Sequence, residues 1–335
     1  MSVLAILGGL LVLGAVIVDV VPTAIASGLP GGWLTRRVGS RLWDGVRKVG
    51  GDNHAFIQLG GTTLVIGLLV TWIVLLVLGW WLLFLGLGRI EGASSGQPAS
   101  AFQTLYFTGY VVSTLGNGEF VPGTGIGQAL TAIASASGIL VLTLSITYLV
   151  PVLDAVSTKR RLATTLHAIG ETPKEMAARL WPGPDLAANR DVLLSIASEV
   201  RELTQKHYSY PVLHYFHSRH CQTALPPSLA RLDETVTAVR IVHPDADGDL
   251  GVHLLRSALD DLLEALASTF LRPADEVPPP PSVDVVSQLV DHEPAELGES
   301  PALDEMDTHR RRLRGFVEDD GWSWDDVLEA GRRET

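Results

Sequence analysis

The chain has 335 residues, with 25 basic and 37 acidic side chains and a formal net charge of −12, and it is long enough for two domains. Residues 1–154 contain six basic and six acidic residues, so the whole excess of negative charge lies after Asp154. An acidic half repels phosphate backbones, which argues against nucleic acid as a partner. Cys221 is the single cysteine, so an intrachain disulfide is excluded.

Three apolar runs, residues 3–21, 62–88 and 124–153, each reach the roughly 18 residues that cross a bilayer core. The stretch from Ala55 to Gly88 contains no ionisable side chain, which a soluble core helix would not require. We therefore predict a membrane all-α fold with three transmembrane helices.

The distribution of Lys and Arg predicts the orientation, because positive residues are retained on the cytoplasmic side. The connection 22–61 holds five basic residues, whereas the connection 89–125 holds only Arg89. We expect a multi-pass protein of the cell membrane with its N-terminus outside and its C-terminal domain in the cytoplasm. Alternatively the first run is a secretory signal cleaved near Ala24-Ile25-Ala26, although it lacks a basic leader and contains Asp19. Asp19 is expected to face the helix bundle near the cytoplasmic surface.

Between the second and third runs, residues 92–118 carry no charge but are too short and polar to cross the membrane twice. We predict a re-entrant helix over 100–113 followed by the loop Thr114-Leu115-Gly116-Asn117-Gly118. Glycine accepts positive φ angles, so successive carbonyls can turn to one side of such a strand. Four strands around an axis would form oxygen rings that replace the hydration shell of a monovalent cation, with the Thr114 hydroxyl as an additional ligand.

This segment resembles the pore helix and selectivity filter of the potassium channel family. Over about twenty residues without a gap, residues 114–118 fall on the family's Thr-Val-Gly-Tyr-Gly filter, Glu119 on its outer-mouth Asp and Pro122 on the following Pro. The resemblance implies a homotetramer in the lipid bilayer that conducts potassium passively. It implies no enzyme activity, no metal site and no cofactor besides the permeant ion. Gly138 falls where the family's inner helix often has its hinge glycine.

Two departures from the family leave alternatives open. Asn117 replaces the filter Tyr, and Phe107 stands where some members have a Trp, so we expect the aromatic cuff around the filter to be absent. A non-selective monovalent cation channel is therefore an alternative. Because Asn-Gly is also a strong turn dipeptide, a membrane-anchored sensor with a vestigial pore loop is a second alternative.

The inner helix carries hydroxyl side chains that could line a wet cavity. Thr143, Thr147 and Pro151 follow at four-residue spacing and so share one face. Gly138 and Pro151 are the expected bending points for gating. Alternatively the hydroxyls only bond back to carbonyls of their own helix.

Composition divides the chain into four parts. After Leu162 leucines recur at helical spacing, as in Leu193–Leu203 and Leu255–Leu266, and predict packed helices whose partner the sequence does not identify. The acidic stretch after Pro281 is expected to be a linker or disordered. The parts are an N-terminal transmembrane helix with a basic cytoplasmic loop (1–61), a pore domain (62–158, with outer helix 62–88 and inner helix 124–153), a helical cytoplasmic domain (159–272) and a Pro-rich acidic tail with a possible short C-terminal helix (273–335).

One group of side chains has no evident role: His207, His214, His217, His220 and Cys221. Seven-residue spacing would place His207, His214 and Cys221 on one helix stripe, which would permit a metal site or a pH sensor. No flanking carboxylate or second cysteine completes a site. The preferred interpretation is therefore a solvated or partner-facing helix.

Overall fold

The protein is built from α-helices, with one two-stranded antiparallel sheet among the residues described, and this confirms the membrane all-α class. The chain divides into two compact units. We call residues 1–45 with 62–152 the pore unit, and residues 46–61 with 153–335 the second unit. The computed structural model describes residues 2–25, 32–50, 54–243, 245–267, 271–281 and 301–329.

Three of the described helices are long and apolar enough to cross a membrane. They are α1 (Ser2–Ile25), α3 (His54–Leu83, continued by a π-helical turn over Phe84–Gly88) and α5 (Gly125–Ile169). The expected end of α5 near Pro151 is wrong, because the helix continues to Ile169. Proline removes only one bond from the helical ladder, and the residues after it are compatible with a helix.

Close packing of small residues joins α1 to α3. A β-carbon at Gly9 would lie 2.8 Å from the Gly79 carbonyl oxygen, so glycine is needed where the two backbones approach. The space between these helices is therefore too narrow for larger side chains at this level.

The buried carboxylate of Asp19 holds helix α2 (Trp33–Gly50) in place. It accepts hydrogen bonds from Leu34 N (2.8 Å), Thr35 N (3.0 Å), Thr35 Oγ1 (2.6 Å) and Trp72 Nε1 (2.8 Å). Asp19 thus caps the first turn of α2 from a distant part of the chain. The bundle-facing position expected for Asp19 is confirmed, and the basic connection contains a helix.

The helices of the second unit are α6 (Pro173–Leu180), α7 (Arg190–Ser209), α8 (Leu225–Val242), α9 (Leu250–Ala267), α10 (Pro301–Asp319) and α11 (Asp325–Leu328). They assemble around α8, whose side chains are buried from its first residue to Val239. The leucine patterns on α7 and α9 are buried in the core, which confirms them as packing stripes. Thr172 caps α6, and its hydroxyl accepts a hydrogen bond from Glu175 N at 3.2 Å.

The C-terminal helix α10 is longer than the short helix expected and packs into the second unit. Arg310 makes two hydrogen bonds to Glu234 of α8, each of 2.8 Å. His309 lies between Asp233 and Asp260, at 2.9 and 3.0 Å. The predicted linker over residues 282–300 lies outside the described residues.

Candidate functional site

Helix α4 (Ala101–Val112) lies where the sequence predicts the re-entrant helix. Ser100 caps it: the Ser100 hydroxyl accepts from Gln103 N at 3.3 Å, and the Gln103 side chain accepts from Ser100 N at 2.8 Å. Trp81 of α3 donates from Nε1 to the Ala101 carbonyl at 2.9 Å. These bonds fix the beginning of α4 against the outer helix.

The other end of α4 lies against the inner helix at Gly138. A β-carbon at Gly138 would overlap the backbone carbonyl of Val112. The structure therefore supplies a packing reason for this glycine, because only a residue without a side chain permits the approach. Its role as a gating hinge stays a prediction.

The loop after α4 has an alternating backbone. The φ angles are 60° at Thr114, 60° at Gly116 and 76° at Gly118, whereas Leu115 and Asn117 between them do not have positive φ. Left-handed backbone is strained for a β-branched residue such as Thr114 and costs about 1–3 kcal/mol. Strain of this kind concentrates at functional sites.

The carbonyl oxygens of this loop are available to a ligand. The amides of Leu115 and Gly116 donate back to the Tyr110 carbonyl at 2.8 and 3.4 Å, and Thr114 N donates to the Val111 carbonyl at 3.0 Å. In the part of the chain that the structure describes, no group donates a hydrogen bond to the carbonyls of residues 114–118. All five residues are exposed. The loop therefore presents a row of free oxygen ligands, the type that dehydrated monovalent cations bind.

Aromatic side chains of α4 stand behind the loop. The Asn117 side-chain amide donates a hydrogen bond to the Tyr106 hydroxyl. The Tyr106 ring packs edge-on against Tyr110, with centroids 5.4 Å apart. The Tyr110 hydroxyl donates to the Phe120 carbonyl at 2.5 Å and accepts from Phe120 N at 3.2 Å. Phe107 packs edge-on against Tyr110 at 5.3 Å.

The expectation of an absent aromatic cuff is therefore wrong. The expectation was based on Phe107 alone, whereas the side chain that bonds Asn117 is Tyr106, one position earlier. The four-residue spacing of Tyr106 and Tyr110 on one helix face is the sequence signal that could have revealed this layer.

A short sheet closes the outer end of the loop. Strand β1 (Ile90–Gly92) pairs antiparallel with β2 (Phe120–Pro122), with Glu91 opposite Val121. Glu119 is exposed, and its carbonyl accepts a hydrogen bond from Ala93 N at 2.9 Å. Glu119 is therefore an exposed acidic residue that directly follows the loop Thr114–Gly118.

The inner helix α5 exposes Thr143 and Thr147, as a cavity lining requires. Among the described residues neither hydroxyl has a hydrogen-bond partner, whereas Ser145, which is buried, bonds back to the Val141 carbonyl at 2.7 Å. The alternative of back-bonding thus holds for Ser145 and not for these two threonines.

The histidines of the second unit do not form the helix stripe suggested by their spacing. Helix α7 ends at Ser209, so His207 is helical, while His214 and Cys221 lie in separate 3₁₀ turns. His207, His214 and His217 are buried, which also contradicts a solvated helix. Carboxylates distant in sequence complete the group, since Asp319 approaches His214 and Asp320 approaches His217. No cluster of metal-binding side chains is found within the described ranges.

Comparison with known proteins finds similarity to an ion channel family and to a membrane protein. The family model described as "Ion channel" matches residues 63–155, which contain α4, the loop and most of α5. The chain is 31% identical over 322 residues to "Uncharacterized membrane protein YdjJ" of Bacillus subtilis (strain 168), covering 95% of this chain and 94% of the relative. No solved structure matches the chain.

Proposed function

Because the chain belongs to the pore-loop ion channel family, we propose that it is a homotetrameric channel that conducts potassium passively across the cell membrane. The filter is the loop Thr114–Gly118, and its backbone carbonyls are the ligands of the dehydrated ion. Glu119 lies at the outer mouth, and Thr143 and Thr147 line the cavity beneath the filter.

The observation that carries this proposal is the alternating backbone of the filter. Positive φ at Thr114, Gly116 and Gly118 is the conformation that allows successive carbonyls to turn toward one side, and these carbonyls accept no hydrogen bond from the described residues. Oxygens of this kind replace water around a permeant ion. The negative end of the α4 helix dipole also favours a cation beneath the filter.

The exposure of the filter supports the tetramer. One chain supplies one strand of carbonyls, with Leu115 72% exposed, so a closed ring requires further copies about an axis. Mass photometry or chemical crosslinking in detergent tests the assembly. A conducting monomer or dimer would contradict it.

The orientation proposed places the N-terminus outside and the second unit in the cytoplasm, because the basic residues concentrate between α1 and α3 and after α5. A membrane-impermeant maleimide applied to intact cells and to inverted vesicles tests it, since Cys221 is the single thiol. We expect labelling only from the cytoplasmic side.

Conduction is tested in planar bilayers with purified wild type, Gly116→Ala and Gly118→Ala. A β-carbon strains backbone with positive φ, so both variants should assemble and lose potassium current. Gly96→Ala is a matched control that lies outside the filter. Gly96 has φ 62°, and a β-carbon added there would meet open space, as it would at Gly116 and Gly118. Equal currents from all four proteins would exclude this loop as the filter.

Ion preference is measured by the reversal potential with potassium on one side and sodium on the other. The hydrogen bond from Asn117 to Tyr106 supports a braced filter and hence potassium preference. A reversal potential near zero would identify a non-selective cation channel instead. Absence of current in assembled tetramers would support the sensor with a vestigial pore loop.

A further inference from the structure

A group of titratable side chains, buried except for the partly exposed Asp319, lies at the cytoplasmic extension of α5. We call it the histidine cluster, and it brings together four parts of the second unit: α5, the end of α7, the segment 211–217, and the end of α10 with the following residue. Its members are Lys159, His207, His214, His217, Asp319 and Asp320.

The segment 211–217 is bound on two sides. Lys159 of α5 donates from Nζ to the Phe216 carbonyl at 2.8 Å. On the other side, His214 Nε2 lies 2.9 Å from Asp319 Oδ2, and His217 Nδ1 lies 2.6 Å from Asp320 Oδ1. The segment therefore links the inner helix to the C-terminal helix through contacts that depend on charge.

Burial reduces the positive charge that the histidines of the cluster carry. Burial and the nearby Lys159 charge lower the pKa of His207 to about 3, so this ring stays neutral. Burial also lowers the pKa of His214, although Asp319 opposes that shift. Burial disfavours ionisation of Asp320, but His217 and Lys159 outweigh it and hold the pKa of Asp320 below its usual value.

We propose that the histidine cluster is a proton-binding site that regulates the pore, in which proton uptake by His214 loosens segment 211–217 from α5 and from the end of α10. The regulatory part rests on the proposed channel function. The proposal concerns His214, which faces Asp319, His217, Lys159 and His207.

The direction of the effect follows from linkage. A histidine whose pKa is lowered by burial binds its proton more weakly when packed than when solvated. The packed arrangement is therefore fully stable above the ordinary histidine pKa and loses stability as the pH falls through the lowered pKa of His214. Acid thus favours the loosened state, and alkali favours the packed state.

The effect reaches the pore because α5 is one helix. It carries Lys159, which binds the segment, and also Thr143 and Thr147, which are exposed on the proposed cavity lining. Releasing the segment changes the support of the cytoplasmic extension of this helix. Bistable packing of this kind is how a local charge change is amplified into gating.

The site is tested without current by hydrogen exchange in the purified full-length protein, corrected for intrinsic rates. Between about pH 7.5 and about pH 5.5, the range in which histidine titrates, wild type should lose protection about tenfold over residues 211–217. His214→Gln, which cannot take up the proton, should show the same protection at both pH values. His220→Gln is the matched control, since His220 is the exposed histidine of the same stretch and should respond as wild type.

The regulatory part is tested by changing only the cytoplasmic pH in planar bilayers over the same range. Open probability should change several-fold in wild type and in His220→Gln, and stay constant in His214→Gln. Constant hydrogen exchange in wild type would overturn the proton site. A change in hydrogen exchange without a change in open probability of a conducting channel would overturn its regulatory role. Absence of current at every pH would instead contradict the proposed function, and the exchange result would still decide on the site.

Discussion

In the pore unit, the buried side chains of Trp80 and Asp19 bond to neutral partners, whereas in the second unit the buried carboxylates of Asp233 and Glu234 bond to arginine side chains. Trp80 donates from Nε1 to the Ser137 hydroxyl at 2.9 Å, and the Asp19 carboxylate is held by amides, a hydroxyl and an indole. In the second unit, Asp233 lies 3.1 Å from Arg256 Nη1, and Glu234 pairs with Arg310.

This difference reflects the surroundings of each unit. In hydrocarbon an unpaired charge has a high free energy, so the buried polar groups of a membrane helix bundle are mostly neutral donors and acceptors. A buried ion pair, by contrast, is stable only when both partners are in place, so such pairs define which helices of the second unit meet. The comparison predicts that the stability of the second unit falls most when a single charged side chain is removed. The stability of the pore unit should fall most when a single hydrogen-bond acceptor is removed.

The largest effect is expected for Arg310→Met. It would leave the buried Glu234 carboxylate without its two hydrogen bonds, at a cost of about 3–5 kcal/mol in the free energy of unfolding. Burial already raises the pKa of Glu234 against the influence of Arg310, so this carboxylate depends on its partner. Chemical denaturation in detergent measures the loss.

Two variants sharpen this prediction. Arg310→Met combined with Glu234→Leu should recover most of the stability, because no unpaired charge remains. Arg240→Met breaks a more exposed pair with Asp247 and should cost less than about 1 kcal/mol. Equal losses for Arg310→Met and Arg240→Met would show that burial does not decide the energy of these pairs.

In the pore unit, Asp19→Ala is expected to have the next largest effect. It leaves the buried donor Trp72 Nε1 unpaired, at a cost of about 1–3 kcal/mol, and it removes the acceptor of the part-buried first-turn amides of α2. Helix α2 should lose protection from hydrogen exchange, and the thermal unfolding midpoint should fall. Asp19→Asn keeps one acceptor oxygen and should lose less. If both variants match wild type, the cap is not what holds α2.

The sequence predicts the pore region well because its signals are local. A charge-free run and glycines at alternate positions predict a helix over 100–113 and a turned strand, and the structure has the helix over Ala101–Val112. All of these signals lie within about thirty residues, and each is recognised from residues that are close together along the chain.

The contacts that the sequence does not predict join distant parts of the chain. The cap of α2 is Asp19, 15 residues before Leu34, whereas capping rules examine the adjacent residue. Glu234 and Arg310 are 76 residues apart, and no periodicity relates them. For the same reason, neither His214 nor His217 could be matched to its carboxylate from spacing alone.

A smaller, pH-dependent effect is expected at His309, with the sign opposite to that of His214. Burial lowers its pKa, but Asp233 and Asp260 outweigh burial and raise it above its usual value. A group with a raised pKa contributes stability that is complete below the ordinary histidine pKa and is lost as the pH rises through the raised value. A tenfold tighter hold on the proton in the folded state corresponds to about 1.4 kcal/mol of stability.

Denaturation between about pH 6 and about pH 9 tests this effect, since the range brackets histidine titration. Wild type should lose stability toward alkali, and His309→Gln should show a flatter dependence. His253→Gln, at an exposed position of α9, should follow wild type. An identical slope for wild type and His309→Gln would show that another group causes any alkaline loss.

The smallest expected effect, and the one that tests the proposed filter most directly, is that of Tyr106→Phe. The change removes the hydroxyl that accepts from Asn117 but keeps the ring that packs on Tyr110. One exposed hydrogen bond contributes about 0.5–1.5 kcal/mol, so the potassium-to-sodium permeability ratio should fall by a few-fold while the tetramer stays intact. Tyr208→Phe, which alters an exposed tyrosine of α7, should leave the ratio unchanged.

Because position 117 is braced from Tyr106, a Trp at Phe107 should not compensate for Tyr106→Phe. If Tyr106→Phe leaves the permeability ratio unchanged, the side-chain bond does not set the spacing of the carbonyl rings. The backbone bonds from Leu115 and Gly116 to the Tyr110 carbonyl would then hold the filter. In that case substitutions that displace the end of α4, such as Gly138→Ala against the Val112 carbonyl, should alter selectivity where Tyr106→Phe does not.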